Sequence, residues 1–157
     1  MGRLRNIAIA AIVIAIPAEG LRRTAYYDPP GILTVCYGST TNVNPKKVYS
    51  LTECRARLDA DMMAAVVVVD KCVPNAPDGV MVAFSDAVYN LGPRIVCNTE
   101  RSTAARKLKA RDWVGACNEL PRWNKAQIGV TMVALPGLTK RREAERMVCL
   151  QGLEVTG

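Results

Sequence analysis

Glu19, Asp28 nine positions on, and Thr34 six further are the residues of this chain whose types and spacing could do chemistry. Glu19 lies just past an apolar run, where partial burial favours the protonated form that a general acid needs. Asp28 opens an Asp28-Pro29-Pro30-Gly31 turn and should stay wetter and ionised. Thr34 follows on a β-prone stretch, where its hydroxyl could bond a water. One protonated and one ionised carboxyl are the pair that glycosidic bond cleavage uses. The same two residues also read as a solvated charge at a helix end and an Asx-turn, so by residue physics both readings stand.

The elements that must carry these residues follow from periodicity. Thr34, Val35, Tyr37, Thr40, Thr41 and Val43, interleaved with Gly38 and Asn42, predict a small hairpin or sheet between Thr34 and Val48. Thr52 as cap and the Glu53 to Asp70 run, with Leu58, Met62, Ala65 and Val69 on one stripe, predict a helix. Val80 to Leu91 predicts a buried helix, and Thr99 to Ala110, Asp112 to Leu120 and Lys140 to Gly152 predict three more. Arg101, Arg106, Lys107, Lys109 and Arg111 form a solvated basic face, and Trp113 and Trp123 read as core. The expected fold class is α+β, with one small sheet near the front.

Composition narrows the function classes. With 157 residues, 22% charged and 50% hydrophobic, the chain fits one globular domain with a real core. It has no histidine, so Ser-His-Asp triads, Cys-His nucleophile pairs and His-ligated zinc cannot be built from it. A formal charge of +7 favours an anionic partner: nucleic acid, anionic lipid or acidic polysaccharide. A single Phe and the lack of a recognition-helix motif or aromatic platform argue against nucleic acid. Six cysteines (Cys36, Cys54, Cys72, Cys97, Cys117, Cys149) without a CxxC pair speak against a metal site and for disulfides made outside the cytosol, with buried free thiols as the alternative.

Arg3 and Arg5 precede an uncharged run from Ile7 to Ala18, the shape of an export signal. Twelve helical residues cover about 18 Å against a hydrocarbon core of about 30 Å, so membrane insertion would be marginal and reversible. Cleavage after Ala18 would strip Glu19 of the chain in front of it, so an uncleaved segment is expected. An ordinary buried first helix is the other reading of the same run.

Glu19, Gly20, Arg22, Ala25, Tyr26, Asp28, Gly31, Thr34, Tyr37 and Gly38 together resemble the signature of the phage-type lysozymes, glycoside hydrolase family 24. The N-terminal run resembles in particular the signal-arrest-release endolysins of Gram-negative phages and prophages. The resemblance continues through Tyr49 to Cys54, Ala83 to Gly92, Arg122-Trp123 and Gly137 to Glu145. Ser39 departs from it, standing where the family usually has His. That leaves a catalytically impaired peptidoglycan-binding relative as the alternative function.

The resemblance implies a lysozyme-like fold, with a small N-terminal sheet, a mainly helical C-terminal lobe and the active site between them. It implies residues 1–18 as the signal-arrest-release segment and 19–157 as the catalytic domain. The implied activity is hydrolysis of the β-1,4 bond between N-acetylmuramic acid and N-acetylglucosamine in peptidoglycan, for host-cell lysis. Glu19 would be the general acid, with Asp28 and Thr34 positioning water and Arg141 pairing with Glu19; Arg142 is the substitute if the register is off by one. Tyr26, Asn90 and Gly92 would be scaffold or cleft wall. No cofactor and no metal are implied. The implied disulfides are Cys36 with Cys54, Cys72 with Cys97, and Cys117 with Cys149. A monomer exported to the periplasm, first tethered to the inner membrane and binding no nucleic acid, completes the expectation.

Overall fold

The structure is a computed structural model that describes residues 2–154. The first helix, α1 (Gly2–Glu19), buries Ile7, Ala8, Ala11 and Ala15 and turns Ile9, Val13 and Ile16 to solvent. A stripe of small residues at helical spacing lets α1 lie close against two later helices. Pro17 sits in its last turns, and the helix stops at Gly20, whose N–H reaches Ile16 O at 3.3 Å.

The chain then forms an antiparallel hairpin of β1 (Arg22–Tyr27) and β2 (Leu33–Cys36), with Tyr26 opposite Thr34 and Tyr27 opposite Leu33. The expected sheet from Thr34 to Val48 is therefore corrected: its first strand lies before Asp28, and beyond Cys36 only isolated bridges, Val35 with Ser39 and Thr24 with Val48, remain. Left-handed backbone at Cys36 and Gly38 curls the chain back before a longer strand can form.

Helix α2 (Leu51–Cys72) begins at Ser50 rather than at the expected Thr52. Ser50 Oγ accepts from Glu53 N at 3.1 Å while Glu53 Oε2 accepts from Ser50 N at 2.7 Å, a reciprocal capping box that only the three-residue spacing from Ser50 permits. Helix α3 (Asp78–Leu91) is buried all round from Val80 to Val88 and forms the central pillar, with α1, α2 and the last helix packed on it.

The expected helix from Thr99 to Ala110 starts later, as α5 (Thr103–Lys109), and a separate short helix, α4 (Arg94–Cys97), precedes it. Ser102 divides them, donating to Ile95 O at 2.8 Å and accepting from Ala105 N at 3.1 Å. Helix α6 (Trp113–Glu119) follows, capped by Asp112. Trp113 and Trp123 are half-buried against the core rather than inside it, and the Arg94 guanidinium lies 5.4 Å from the Trp123 ring. A second hairpin, β3 (Lys125–Ile128) with β4 (Thr131–Ala134), was not expected and projects Ile128, Val130 and Met132 into solvent.

Helix α7 (Pro136–Glu154) runs antiparallel to α3 and touches it backbone to backbone. A Cβ on Gly79 would come within 2.9 Å of Val148 O, so only glycine fits this crossing. Two to three turns away the same helix pair brings Asp86 and Arg141 together.

Disulfides join Cys36 to Cys54, Cys72 to Cys97 and Cys117 to Cys149, with Cα–Cα distances of 4.9, 5.3 and 5.7 Å. They tie β2 to α2, α2 to α4 and α6 to α7.

Candidate active site

Glu19 is the last residue of α1, and its side chain is 19% exposed. Helix carbonyls collect partial negative charge at that end, so a carboxylate there calls for a cation. Arg141 supplies it, donating from Nη1 to Glu19 Oε1 at 2.5 Å. The Arg141 side chain is itself buried, 3% exposed, and is gripped by Asp86: Nε donates to Oδ2 at 2.9 Å and Nη2 to Oδ1 at 2.7 Å. Burial works against the Arg141 charge, but hydrogen bonds and charge from Asp86 and then Glu19 outweigh it, holding the guanidinium above its ordinary range. Arg142, the substitute partner, points elsewhere: it is fully buried and donates to Glu145 Oε1 at 2.6 Å. Burial pushes the Glu145 carboxyl up, and the neighbouring Asp86 adds to the shift.

The hairpin places Asp28 and Thr34 at one end, through the backbone of a single residue. Ile32 N donates to Asp28 Oδ1 at 2.7 Å, and Ile32 O accepts from Thr34 Oγ1 at 2.9 Å and from Asp28 N at 3.0 Å. The Asx-turn expected at Asp28 is thus present, and it occupies only one of the two carboxylate oxygens. Thr34 is buried with its hydroxyl proton committed to Ile32, leaving its lone pairs to accept. Tyr26 lies in the field of both carboxylates: burial raises its phenol first, Arg22 pulls it down, and Glu19 and Asp28 both push it up.

Three residues outside the expected set complete the surroundings of Glu19. Tyr89 Oη donates to Tyr37 O at 2.5 Å, and burial first, then Glu19, push its phenol above the ordinary range. A cavity of about 260 Å³ opens beside it, lined in part by Gly38, Thr40, Asp61, Tyr89 and Gly92. Gly92 lines this cavity, while Asn90 keeps a buried Oδ1 with no partner among the described residues. Arg57 on α2 explains how Ser39 is accommodated: its Nη1 donates to Ser39 Oγ at 3.1 Å and to Thr41 O at 2.6 Å, and its Nη2 to Asn42 O at 2.9 Å. Asp86 had one legible signal, a carboxylate inside the mostly apolar run from Val80 to Val88, which demands a buried partner.

A helical lobe closed over a small carboxylate-bearing hairpin is the lysozyme-like architecture. The chain belongs to the phage lysozyme family, whose model matches residues 17–145. It is accordingly a glycoside hydrolase with lysozyme activity, a muramidase for host-cell lysis. It is 37% identical over 153 residues to the SAR-endolysin of Bacteriophage PS119, covering 93% of this chain and 87% of that protein. To the SAR-endolysin of Enterobacteria phage P21 it is 33% identical over 153 residues, covering 93% and 88%. Among solved structures it is similar to the active form of the P1 phage endolysin Lyz, with a TM-score of 0.78 at 27% identity, covering 92% of this chain and 84% of that one.

Proposed function

We propose that the enzyme cleaves the β-1,4 bond between N-acetylmuramic acid and N-acetylglucosamine in peptidoglycan, with Glu19 as the general acid. Glu19 protonates the leaving oxygen; Asp28 stabilises positive charge at the anomeric carbon or orients the attacking water, which Thr34 also holds. A water delivered from the Asp28 side suits inversion. The observation that carries this reading is the contrast between the acids: Glu19 is sheltered at a helix end on a buried arginine, while Asp28 keeps one oxygen unbonded at the turn of a hairpin.

The reading extends to how the enzyme reaches its substrate. Residues 1–18 act as an uncleaved signal-arrest-release segment that tethers the protein to the inner membrane, and 19–157 act as a monomeric catalytic domain in the periplasm. Among the described residues no helix is long and apolar enough to cross a membrane. A weakly inserted segment matches that shortness, and it leaves the bilayer when the proton-motive force collapses. Because Glu19 closes α1, docking α1 onto α2 and α3 and seating the acid on Arg141 are one event. The net charge of +7 favours the anionic wall.

The test is Glu19→Gln on purified sacculi. The variant should fold, by circular dichroism, and lose nearly all turnover, since an amide cannot donate the proton. Mass spectrometry of the wild-type digest should show reducing-end N-acetylmuramic acid. A Gln variant with most of the rate, or an anhydro product, refutes the acid role or the hydrolysis respectively.

A further inference from the structure

We infer that Asp86 is a positioning residue for the reaction, acting through Arg141 to hold Glu19 where it must donate; this rests on Glu19 being the acid.

Asp86 lies in the middle of α3, fully buried, the one charged residue in a stretch from Val80 to Val88 that is apolar apart from Ser85. A carboxylate there carries a large desolvation cost, and a buried ion pair rarely stabilises a fold better than apolar side chains of similar volume. Its position calls for another explanation, and the geometry supplies one. A guanidinium has one side-on edge, Nε with Nη2, that fits both oxygens of a carboxylate. Asp86 takes that edge with bonds of 2.9 and 2.7 Å, which fixes the guanidinium plane and leaves Nη1 as the corner aimed at Glu19. Three elements distant in sequence meet here: α7 brings the cation, α3 the clamp and α1 the acid.

Asp86 also divides the charge. Without it Arg141 would be a buried cation with Glu19 as its bonded counterion, since Glu145 lies 3.9 Å from Nε and is itself bonded to Arg142. With it, Arg141 is already matched by a carboxylate, and Glu19 is held by a hydrogen bond without having to neutralise the cation alone. Removing Asp86 frees the Arg141 side chain to turn and binds Glu19 to it as a one-to-one ion pair. Both changes act on the chemical step and neither touches substrate.

The experiment is a double-mutant cycle of Asp86→Asn and Arg141→Gln, with kcat and KM measured on soluble linear peptidoglycan fragments and thermal midpoints alongside. D86N should lower kcat by about tenfold to a hundredfold, the size expected for a misaimed reacting group, with KM changed less than about twofold. R141Q should lose at least as much, and the double variant should fall no lower than R141Q, because a clamp without a cation has nothing to aim. A merely structural Asp86 would lower the midpoint and leave kcat per folded molecule at the wild-type value; that outcome overturns the inference, as does a double variant whose loss is the product of the two single losses. Asp86→Ser provides a second neutral variant, with the same expected loss and the same overturning result if D86N does not fold. Wild type and Glu19→Gln run in parallel separate the two levels. An active E19Q takes down the reading of Glu19, whereas an inactive E19Q beside a D86N of wild-type kcat takes down only the role of Asp86.

Discussion

The carboxylate of Glu19 rests against the bare backbone of Gly38: a Cβ there would stand 3.0 Å from Oε2 and 3.4 Å from Cδ. Gly38 has a φ of 85°, so alanine would be strained as well as crowded. Gly38→Ala should cost about 1–2 kcal/mol in stability from the backbone alone. Turnover should fall as well, by at least about tenfold, because the displaced group is the proposed acid. Thermal unfolding and turnover measured on one preparation check this; full activity in a destabilised variant would refute the contact's role.

The disulfides should separate stability from catalysis. Replacing Cys117 and Cys149 with Ser opens a loop with a sequence separation of 32 that contains neither Asp28 nor Thr34. That should cost about 3–4 kcal/mol in the chain-entropy model and leave the turnover of folded protein unchanged. Replacing Cys36 and Cys54 should cost a similar amount, but it also frees the strand carrying Thr34, so turnover should drop as well. Equal effects of both pairs on turnover would contradict this division.

The capping box at Ser50 gives a pH dependence whose sign is fixed. Glu53 is held down to about 2, by its bond to Lys47 first and the Ser50 N–H second. A depressed carboxyl contributes stability above its unfolded value and loses it as pH falls through the folded one. The difference in urea midpoint between wild type and Glu53→Gln should therefore be full above about pH 5 and vanish near about pH 2. A difference that grows on acidification would show that the cap is not the cause.

Asn6 and Ala10 lie on the exposed face of α1, opposite the buried Ile7, Ala11 and Ala15. Asn6→Leu with Ala10→Leu should strengthen membrane retention without disturbing the docked helix. Fractionated cells should hold more of the variant in the membrane and lyse later after an uncoupler, while the purified protein keeps wild-type turnover. Unchanged lysis timing would contradict a tethered precursor.

Periodic elements were legible because burial imposes their pattern: Leu58, Met62, Ala65 and Val69 were placed on one stripe and all four are buried. Strand β1 was not, because Arg22 and Arg23 mask the β-prone Thr24, Tyr26 and Tyr27, and its pairing depends on a partner beyond the Asp28 turn. The second hairpin has Gly129-Val130 as a tight turn, but its strands bury almost nothing and so show no clear alternation. At the site, Glu19, Asp28, Thr34 and Arg141 were named from spacing and resemblance. Asp86 and Arg57 were not, since each gains its meaning from a contact across the fold, 55 positions to Arg141 in one case and 18 to Ser39 in the other.

The three disulfide loops, 36–54, 72–97 and 117–149, neither overlap nor enclose one another, and none includes α1 or β1. In topological terms the molecule is a series of separate covalent rings preceded by an arm that belongs to none of them. Oxidation can finish while that arm lies elsewhere, and the arm can dock later without breaking a sulfur bond. The covalent assembly of this protein and the docking of the helix that ends in Glu19 are therefore separable events.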